Sequence, residues 1–257
     1  MIINFYKYHG TGNDFILIDD RKELFDIKNQ NFIQTICERR FGIGADGLIL
    51  LRNHNIYDFE MLFFNSTGER STFCGNGGRC ILAFSNYLGI TAKEIKFWAY
   101  DGLHEGVVFE DMIKLKMRDV NQIDVNEKFI TLDTGSPHLV KIVKDLKKID
   151  VIKEGSKLRY SKEFGDYGIN VNFVQIDKKI SIRTYERGDE MESLSCGTGS
   201  VATAIALYEV EKSSSNNIDI YTEGGKLTVS FNYIDKKYTD IWLSGNAEMT
   251  YQGKIKC

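Results

Sequence analysis

The chain has 257 residues, of which 42% are hydrophobic and 27% charged, a balance typical of one or two globular domains. Its formal net charge of −3 argues against a broad nucleic-acid surface, because such a surface needs concentrated basic residues. No stretch approaches the roughly 20 apolar residues that span a bilayer, and the N-terminal residues lack a secretory signal pattern, so we expect a cytoplasmic protein.

The first half of the chain predicts a strand, a helix and two further strands. A glycine turn at Thr11-Gly12 leads into an apolar strand that begins at Asn13. Helical spacing then places the apolar residues of Phe32–Cys37 on one face. Two strands are predicted next, over residues 48–51 and 58–64, and a hairpin with its turn at residues 101–102 comes later.

A cysteine followed by Gly-x-Gly opens an apolar segment twice in the chain. The two copies are Cys74-Gly75-Asn76-Gly77 and Cys196-Gly197-Thr198-Gly199, so the cysteines lie 122 positions apart, at 74 and 196. The segments after them, residues 80–88 and 201–208, are apolar on almost every face. A helix of that kind is buried within a domain, so each half is predicted to have a buried central helix.

Much of the sequence repeats at nearly this offset. The turn at Thr134-Gly135-Ser136-Pro137 matches the one at Thr11-Gly12, and two strands and a hairpin follow at residues 173–176, 179–185 and 218–225. A helix over Ile149–Leu158 is predicted less clearly, and the lysine-rich stretch Lys141–Lys153 is interpreted as the solvated face of a helix. A last strand over Met249–Ile255 is expected to return to the first half.

The predicted fold class is therefore α/β, with two pseudo-symmetric domains. Each domain is expected to be a mostly antiparallel curved sheet or barrel wrapped around its central buried helix. We place the N-terminal domain at residues 1–117, completed by 249–257, and the C-terminal domain at 118–248.

The paired cysteines suggest acid–base chemistry on both sides of one small substrate. A helix N-terminus offers backbone N–H groups and a partial positive charge, which bind a carboxylate and lower the pKa of a nearby thiol. Removing a proton from the carbon beside a carboxylate puts charge on its oxygens, which those N–H groups stabilise. If one thiolate removes the proton and an opposite thiol returns one, the configuration inverts. We therefore expect the two sulfurs to lie on opposite sides of a shared cleft.

The other cysteines have plainer interpretations. Cys37 and Cys80 fit small buried hydrophobic residues, and Cys257 is assigned no role. The cysteines and histidines lack the spacing of a zinc site, so we predict no metal ligand and no cofactor. Gly42–Gly47 fits the dinucleotide pattern G-x-G-x-x-G, but it follows a helix and precedes a strand, so we interpret it as a turn.

Five motifs together resemble the diaminopimelate epimerase family, and the resemblance covers essentially the whole chain in order. They are His9-Gly10-Thr11-Gly12-Asn13-Asp14-Phe15, Phe41-Gly42-Ile43-Gly44-Ala45-Asp46-Gly47, Cys74-Gly75-Asn76-Gly77-Gly78-Arg79-Cys80, Tyr185-Glu186-Arg187-Gly188 and Cys196-Gly197-Thr198-Gly199. The family interconverts LL- and meso-2,6-diaminopimelate without pyridoxal phosphate, for lysine and peptidoglycan precursors. The resemblance implies that activity, its two-domain fold and closure on substrate.

The resemblance also implies roles for individual residues. Cys74 and Cys196 match the acid–base pair, and His138 and Glu186 match positions that tune the pKa values of the thiols. The residues that match substrate-binding positions are Asn13, Asn65, Gly75, Asn76, Asn170, Glu186, Arg187, Gly197 and Thr198. The family is commonly a homodimer with a tyrosine near the C-terminus at the contact, a place that Tyr251 fits.

Two positions depart from some family members. Ser136 stands where those members have Asn, and Gly47 stands where they have Gln, so neither is assigned a substrate contact.

Two other functions remain open. A two-thiol racemase of proline or hydroxyproline would use the same mechanism, although Glu186-Arg187 favours a substrate with a distal charged end. A thiol redox sensor or carboxylate-binding protein would bind without catalysis, and it explains the paired glycine-rich helix starts less well.

Overall fold

The computed structural model describes residues 2–90, 92–110 and 112–256, which fall into two units. The first unit runs to Leu115 and resumes at Gly245, and the second is Lys116–Ser244. None of the described helices is both long and apolar enough to cross a bilayer.

The elements of the first unit are mostly strands. They are β1 (Ile2–Gly10), β2 (Asn13–Asp19), α1 (Gln30–Cys37), β3 (Gly47–Arg52), β4 (Phe59–Asn65), α2 (Gly75–Tyr87), β5 (Ile95–Ala99), β6 (Gly102–Phe109) and β7 (Met112–Lys116), whose last residue begins the second unit.

The second unit follows the same plan. Its elements are β8 (Ile123–Val125), β9 (Ile130–Asp133), β10 (Pro137–Ile142), a 3₁₀ turn (Leu146–Lys148), α3 (Val151–Arg159), β11 (Asn170–Ile176), β12 (Ile180–Glu186), β13 (Met191–Ser193), α4 (Gly197–Glu209), β14 (Asn217–Thr222), β15 (Gly225–Ile234) and β16 (Lys237–Gly245). The chain then forms β17 (Glu248–Lys256), which belongs to the first unit.

The two units share one pattern of strand pairing. In the first, β2–β3 and β4–β5 are parallel, whereas β1–β2, β3–β4, β5–β6 and β6–β7 are antiparallel. In the second, β10–β11 and β12–β14 are parallel, whereas β9–β10, β11–β12, β14–β15 and β15–β16 are antiparallel. The predicted repeat is therefore a repeat of topology, and the mixed α/β fold class, made mainly of strands with few helices, is confirmed.

Strand β3 and the middle of β2 are buried because helices cover both of their faces. Ile16 and Leu48 pack into a core with Ile33 and Ile36 of α1. Phe15 and Ile49 point the other way, since successive strand residues face opposite sides, and both lie near Gly77 of α2. Burial on both faces explains why these strands are continuous apolar runs without polar alternation.

The central helices are buried as predicted from their apolar composition. Ten residues of α4, Gly197 and all those from Gly199 to Leu207, are buried. In α2 the buried set includes Arg79, a residue that the apolar pattern did not lead us to expect inside.

The segment expected to return to the first unit does form a strand there. β17 pairs antiparallel with β1, with Phe5 opposite Gly253. A different expectation is wrong: the lysine-rich stretch Lys141–Lys153 is not one helical face. Lys141 ends β10, Leu146–Lys148 is a 3₁₀ turn, and the helix begins only at Val151, because the side chain of Asp150 caps it there.

Candidate active site

Cys74 and Cys196 occupy the same structural position in their units. Each is the N-cap of its central helix, with extended backbone angles of φ −117° and ψ 125° at Cys74 and φ −110° and ψ 113° at Cys196. In α2 the first helical hydrogen bond runs from the N–H of Gly78 to the carbonyl of Cys74 (2.7 Å). Gly75, Asn76 and Gly77 therefore form the first turn, where N–H groups have no acceptor inside a helix.

A series of hydrogen bonds runs from Arg79 through Asn76 and Asn13 to Asp46, and it passes beside Cys74. A guanidinium only donates, so Arg79 Nη2 fixes Oδ1 of Asn76 as its acceptor (2.9 Å). The Nδ2 of Asn76 then donates to Asn13 Oδ1 (3.1 Å), and the Nδ2 of Asn13 donates to a carboxylate oxygen of Asp46 (2.6 Å). Asn13 Oδ1 also lies 3.6 Å from the sulfur of Cys74 and accepts its S–H. This contact suits the protonated state of Cys74.

Arg79 is the part of this network that sequence reasoning missed. Its side chain is fully buried, and Nη2 also donates to the hydroxyl of Thr11 (3.0 Å). Within the described residues, Nε and Nη1 have no hydrogen-bond partner. Burial lowers the pKa of the guanidinium, and the neighbouring Cys80 and Cys74 oppose that shift. An arginine inside an otherwise apolar helix was the available signal.

The Asp46 end of this hydrogen-bonded series is fixed by a cluster of charged side chains. Arg39 donates to both carboxylate oxygens of Asp14 (3.0 and 2.7 Å) and to Asp46 (2.7 Å), and Lys7 also donates to Asp14. Burial raises the pKa of Asp14, but the hydrogen bonds from Arg39 and Lys7 outweigh it and hold that pKa well below its usual range. Asp14 is therefore ionised, and it anchors the turn that carries Asn13.

A different set of groups lies beside Cys196. Its sulfur is 3.5 Å from the hydroxyl oxygen of Thr198, which is 2.9 Å from Nε2 of His138. The hydroxyl of Thr134 donates to the backbone carbonyl of Thr198 (3.0 Å) and fixes that turn of the helix. Because a hydroxyl both donates and accepts, Thr198 can serve Cys196 in either protonation state.

His138 is fully buried, and it is neutral at physiological pH. Burial is the larger cause and the positive charge of Arg187 the smaller one; together they lower the pKa of His138 to about 3. It is therefore a neutral hydrogen-bonding group beside Thr198, and its role in tuning Cys196 stays a prediction.

Three of the residues predicted to bind the distal end of the substrate, Asn170, Glu186 and Arg187, lie in the second unit. The side chain of Asn170 accepts the backbone N–H of Arg187 (2.9 Å) and donates to the hydroxyl of Ser136 (2.8 Å). The guanidinium of Arg187 lies over the ring of Tyr167, 4.1 Å from its centroid, and 3.4 Å from the Ser136 hydroxyl. Glu186, at the end of β12, is half-buried beside Arg187. Its role in tuning a thiol stays a prediction.

Asn65 and Gly47 face each other across β3 and β4. The side-chain oxygen of Asn65 accepts the backbone N–H groups of Thr67 and Glu69 (both 3.1 Å), so it shapes its own turn. A Cβ at Gly47 would lie 2.5 Å from a backbone oxygen and 2.6 Å from the ring of Phe63. Gly47 is thus required by packing, which agrees with leaving it without a ligand role.

The remaining cysteines are unlike the pair. Cys37 and Cys80 are buried, and burial raises the pKa of each, to about 12 for Cys37. Both are neutral packing residues, as the sequence suggested, and Cys257 lies outside the described residues. Across residues 2–90, 92–110 and 112–256, no group of three or more His, Cys, Asp or Glu side chains is placed to hold a metal ion.

Comparison with solved structures identifies the fold. A phenazine biosynthesis protein of the PhzF family from Bacillus anthracis has a TM-score of 0.80 at 15% identity, with both chains covered in full. A hydroxyproline epimerase from Agrobacterium vitis has a TM-score of 0.68 at 12% identity, over 99% of this chain and 92% of that one. The chain therefore has the mixed α/β fold that these two proteins share.

Sequence comparison is more specific. The pattern of the family described as diaminopimelate epimerase matches residues 5–114 and 130–250. A diaminopimelate epimerase from Flavobacterium psychrophilum is 50% identical over 253 residues, 97% of this chain and 99% of that protein. The chain belongs to the diaminopimelate epimerase family, as its motifs indicated, and it is an isomerase.

Proposed function

We propose that this isomerase inverts the α-carbon of LL-2,6-diaminopimelate to give the meso isomer, within lysine biosynthesis, using Cys74 and Cys196 as a thiolate and thiol pair. The observation that carries the proposal is that each cysteine caps the N-terminus of a buried, glycine-opened helix, one in each repeat. Each thiol thus has beside it the N–H groups that a substrate carboxylate needs.

The reaction is balanced without an external reagent. One thiolate takes the α-proton and becomes a thiol, and the electron pair of the broken C–H bond spreads into the substrate carboxylate. The first-turn N–H groups, at Gly75 and Asn76 or at Gly197 and Thr198, stabilise that charge. The other thiol donates its proton to the opposite face of the carbon and becomes the thiolate. After one turnover the protonation states of the two cysteines are exchanged.

The distal amine and carboxylate of the substrate are assigned to Asn13, Asn65, Asn170, Glu186 and Arg187. Support comes from the cluster in which Asn170 holds the backbone of Arg187 while Tyr167 stacks on its guanidinium. The hydroxyl oxygen of Ser136 accepts from both Asn170 and Arg187, so we add Ser136 to the candidate residues that orient Arg187. A fixed cation of this kind selects a substrate with a second carboxylate.

The experiment is stereochemical. LL-diaminopimelate incubated in heavy water with no added cofactor should give meso product that carries deuterium at the inverted carbon. Cys74→Ala and Cys196→Ala should each abolish turnover, whereas Cys37→Ala, a buried cysteine of no assigned role, should retain it. Full turnover by either of the first two variants would eliminate the two-thiol mechanism.

A substrate panel separates the alternatives. If proline or 4-hydroxyproline is inverted faster than diaminopimelate, the protein is the related racemase. This alternative is tested because a hydroxyproline epimerase has a similar fold. Ligand binding with no change in optical rotation would identify a non-catalytic thiol sensor.

The dimer is also a proposal, and it centres on β17. Tyr251 on this strand is 47% exposed, although its hydroxyl donates to the carbonyl of Ile43 (3.2 Å) and its ring meets that of Phe5 edge to face. Met249 on the same strand is 40% exposed. Tyr251→Ala should convert a dimer to a monomer in sedimentation, and an unchanged mass would exclude β17 as the contact.

A further inference from the structure

The side chain of Asn172 on β11 is completely buried, and each of its polar atoms has a partner. Its Nδ2 lies 3.0 Å from the backbone carbonyl of Leu139 and 3.1 Å from Nδ1 of His138. Its Oδ1 accepts the hydroxyl of Thr184 (2.9 Å). A carbonyl only accepts, so the atom facing Leu139 must be the amide nitrogen, and the same nitrogen then faces His138.

This orientation fixes the protons of His138. Both hydrogens of the Asn172 amide are used, one on Leu139 and the other on the imidazole, so Nδ1 of His138 has to be the unprotonated nitrogen. A neutral imidazole has one N–H, which is then at Nε2. That N–H points at the hydroxyl oxygen of Thr198 (2.9 Å) and occupies one of its lone pairs.

The tautomer matters because it decides where the hydrogen of the Thr198 hydroxyl points. With Nε2 protonated, this O–H is available to the sulfur of Cys196, 3.5 Å away. With the other tautomer, Nε2 would be an acceptor and would take the same O–H. The thiolate of Cys196 would then lose a donor that is worth most when the sulfur is charged.

We propose that Asn172 is a positioning residue that locks His138 in its Nε2–H tautomer and thereby directs the Thr198 hydroxyl to the Cys196 thiolate. The inference rests on the proposed function of Cys196. Helix α4 is fitted to this amide, since a Cβ at Gly199 would lie 2.4 Å from Asn172 Oδ1 and 3.3 Å from the Cys196 sulfur. Arg187 is the charged side chain whose field reaches His138.

The first test needs no substrate. Long-range ¹H–¹⁵N correlation of the ¹⁵N-histidine-labelled protein should show His138, assigned by its loss in His138→Gln, with Nε2 protonated and Nδ1 bare. Asn172→Asp places an acceptor at Nδ1 and should move the proton to Nδ1. Wild-type protein with an Nδ1–H imidazole would overturn the proposal, whatever the enzyme's activity.

The second test reads the thiol itself. In the Cys74→Ala background, alkylation of Cys196 by iodoacetamide is followed against pH by peptide mass spectrometry. Asn172→Asp and Asn172→Leu should shift the profile to higher pH, and in the two-cysteine enzyme they should lower kcat roughly ten- to a hundredfold with a smaller change in KM. The matched control is Thr203→Val, a buried change in α4 whose hydroxyl has no partner among the described residues.

The outcomes separate the two proposals. Absence of epimerase activity in the wild type would sink the proposed function, yet the tautomer and the alkylation profile would still decide the role of Asn172. If both Asn172 variants match Thr203→Val in alkylation and kcat, the positioning role is wrong. If Asn172→Asp fails to fold, the wild-type tautomer and the alkylation profile of Asn172→Leu decide whether Asn172 positions His138.

Discussion

Acidification should destabilise the protein through His138, in a pH range where its carboxylates contribute little. The folded-state pKa of His138 is lowered to about 3, mainly by burial and secondarily by Arg187. A histidine in the unfolded chain has a pKa near 6.5, so between these values the unfolded state binds a proton that the native state refuses. Stability is therefore complete above about pH 7 and falls as the pH drops.

The size of the effect follows from the two pKa values. Each pH unit below the unfolded pKa lowers the free energy of unfolding by about 1.36 kcal/mol, because only the unfolded histidine is protonated. At about pH 5 this one side chain therefore lowers the free energy of unfolding by about 2 kcal/mol relative to neutral pH. Carboxylates such as Asp14, whose pKa is held low, add to acid unfolding only below about pH 5, where an unfolded aspartate begins to protonate.

Urea unfolding at about pH 7 and about pH 5, followed by circular dichroism under reducing conditions, measures this term. His138→Gln lowers stability at both pH values but should lose about 2 kcal/mol less than the wild type on acidification. His54→Gln makes the same substitution in the first unit and controls for the loss of a histidine as such. Equal pH dependence in wild type and His138→Gln would refute a buried, neutral His138.

Three further predictions concern other parts of the site. Arg79→Met should lower kcat/KM at least tenfold, because Asn76 and Thr11 each lose one hydrogen-bond donor. Thermal stability should be kept or raised, because the substitution removes a buried cation whose Nε and Nη1 have no partner among the described residues. Unchanged kcat/KM would contradict the first expectation. Gly199→Ala should cost about 1 to 2 kcal/mol of unfolding free energy and reduce activity, since the 2.4 Å approach to Asn172 outweighs the gain in helix propensity; a stabilised variant in urea would contradict it. Asp14→Asn should cost about 3 kcal/mol at neutral pH, because it removes the carboxylate that neutralises buried Lys7. It should also flatten the stability loss below about pH 4, and an acid limb as steep as that of the wild type would contradict it.

The sequence predicted the fold well because its signals are local or repeated. The apolar spacing of Ile33, Ile36 and Cys37 defines α1, and the Cys-Gly starts define α2 and α4. The lysines of 141–153 misled because lysine spacing is compatible with a strand end, a 3₁₀ turn or a helix. Only the cap at Asp150 decides where the helix begins.

The site was predicted less completely because its supporting contacts join residues far apart in the chain. The sequence suggests that Arg79 is a surface residue. Only the structure shows that its guanidinium donates a hydrogen bond to Thr11, 68 positions away. The orientation of the Asn172 side chain is set by contacts with His138, Leu139 and Thr184, which lie on the two strands beside β11. Periodicity gives the face of a strand but not the identity of the group opposite.

The pairing of β1 with β17 has a consequence for biosynthesis. The ribosome makes all of Lys116–Ser244 between the two strands. The chain of the second unit is therefore complete while β1, already paired with β2, still lacks β17 on its other edge. Phe5 lacks its contacts with Gly253 and Tyr251 for that interval. Chains truncated before residue 248 should thus expose the unpaired edge of β1 and engage chaperones there.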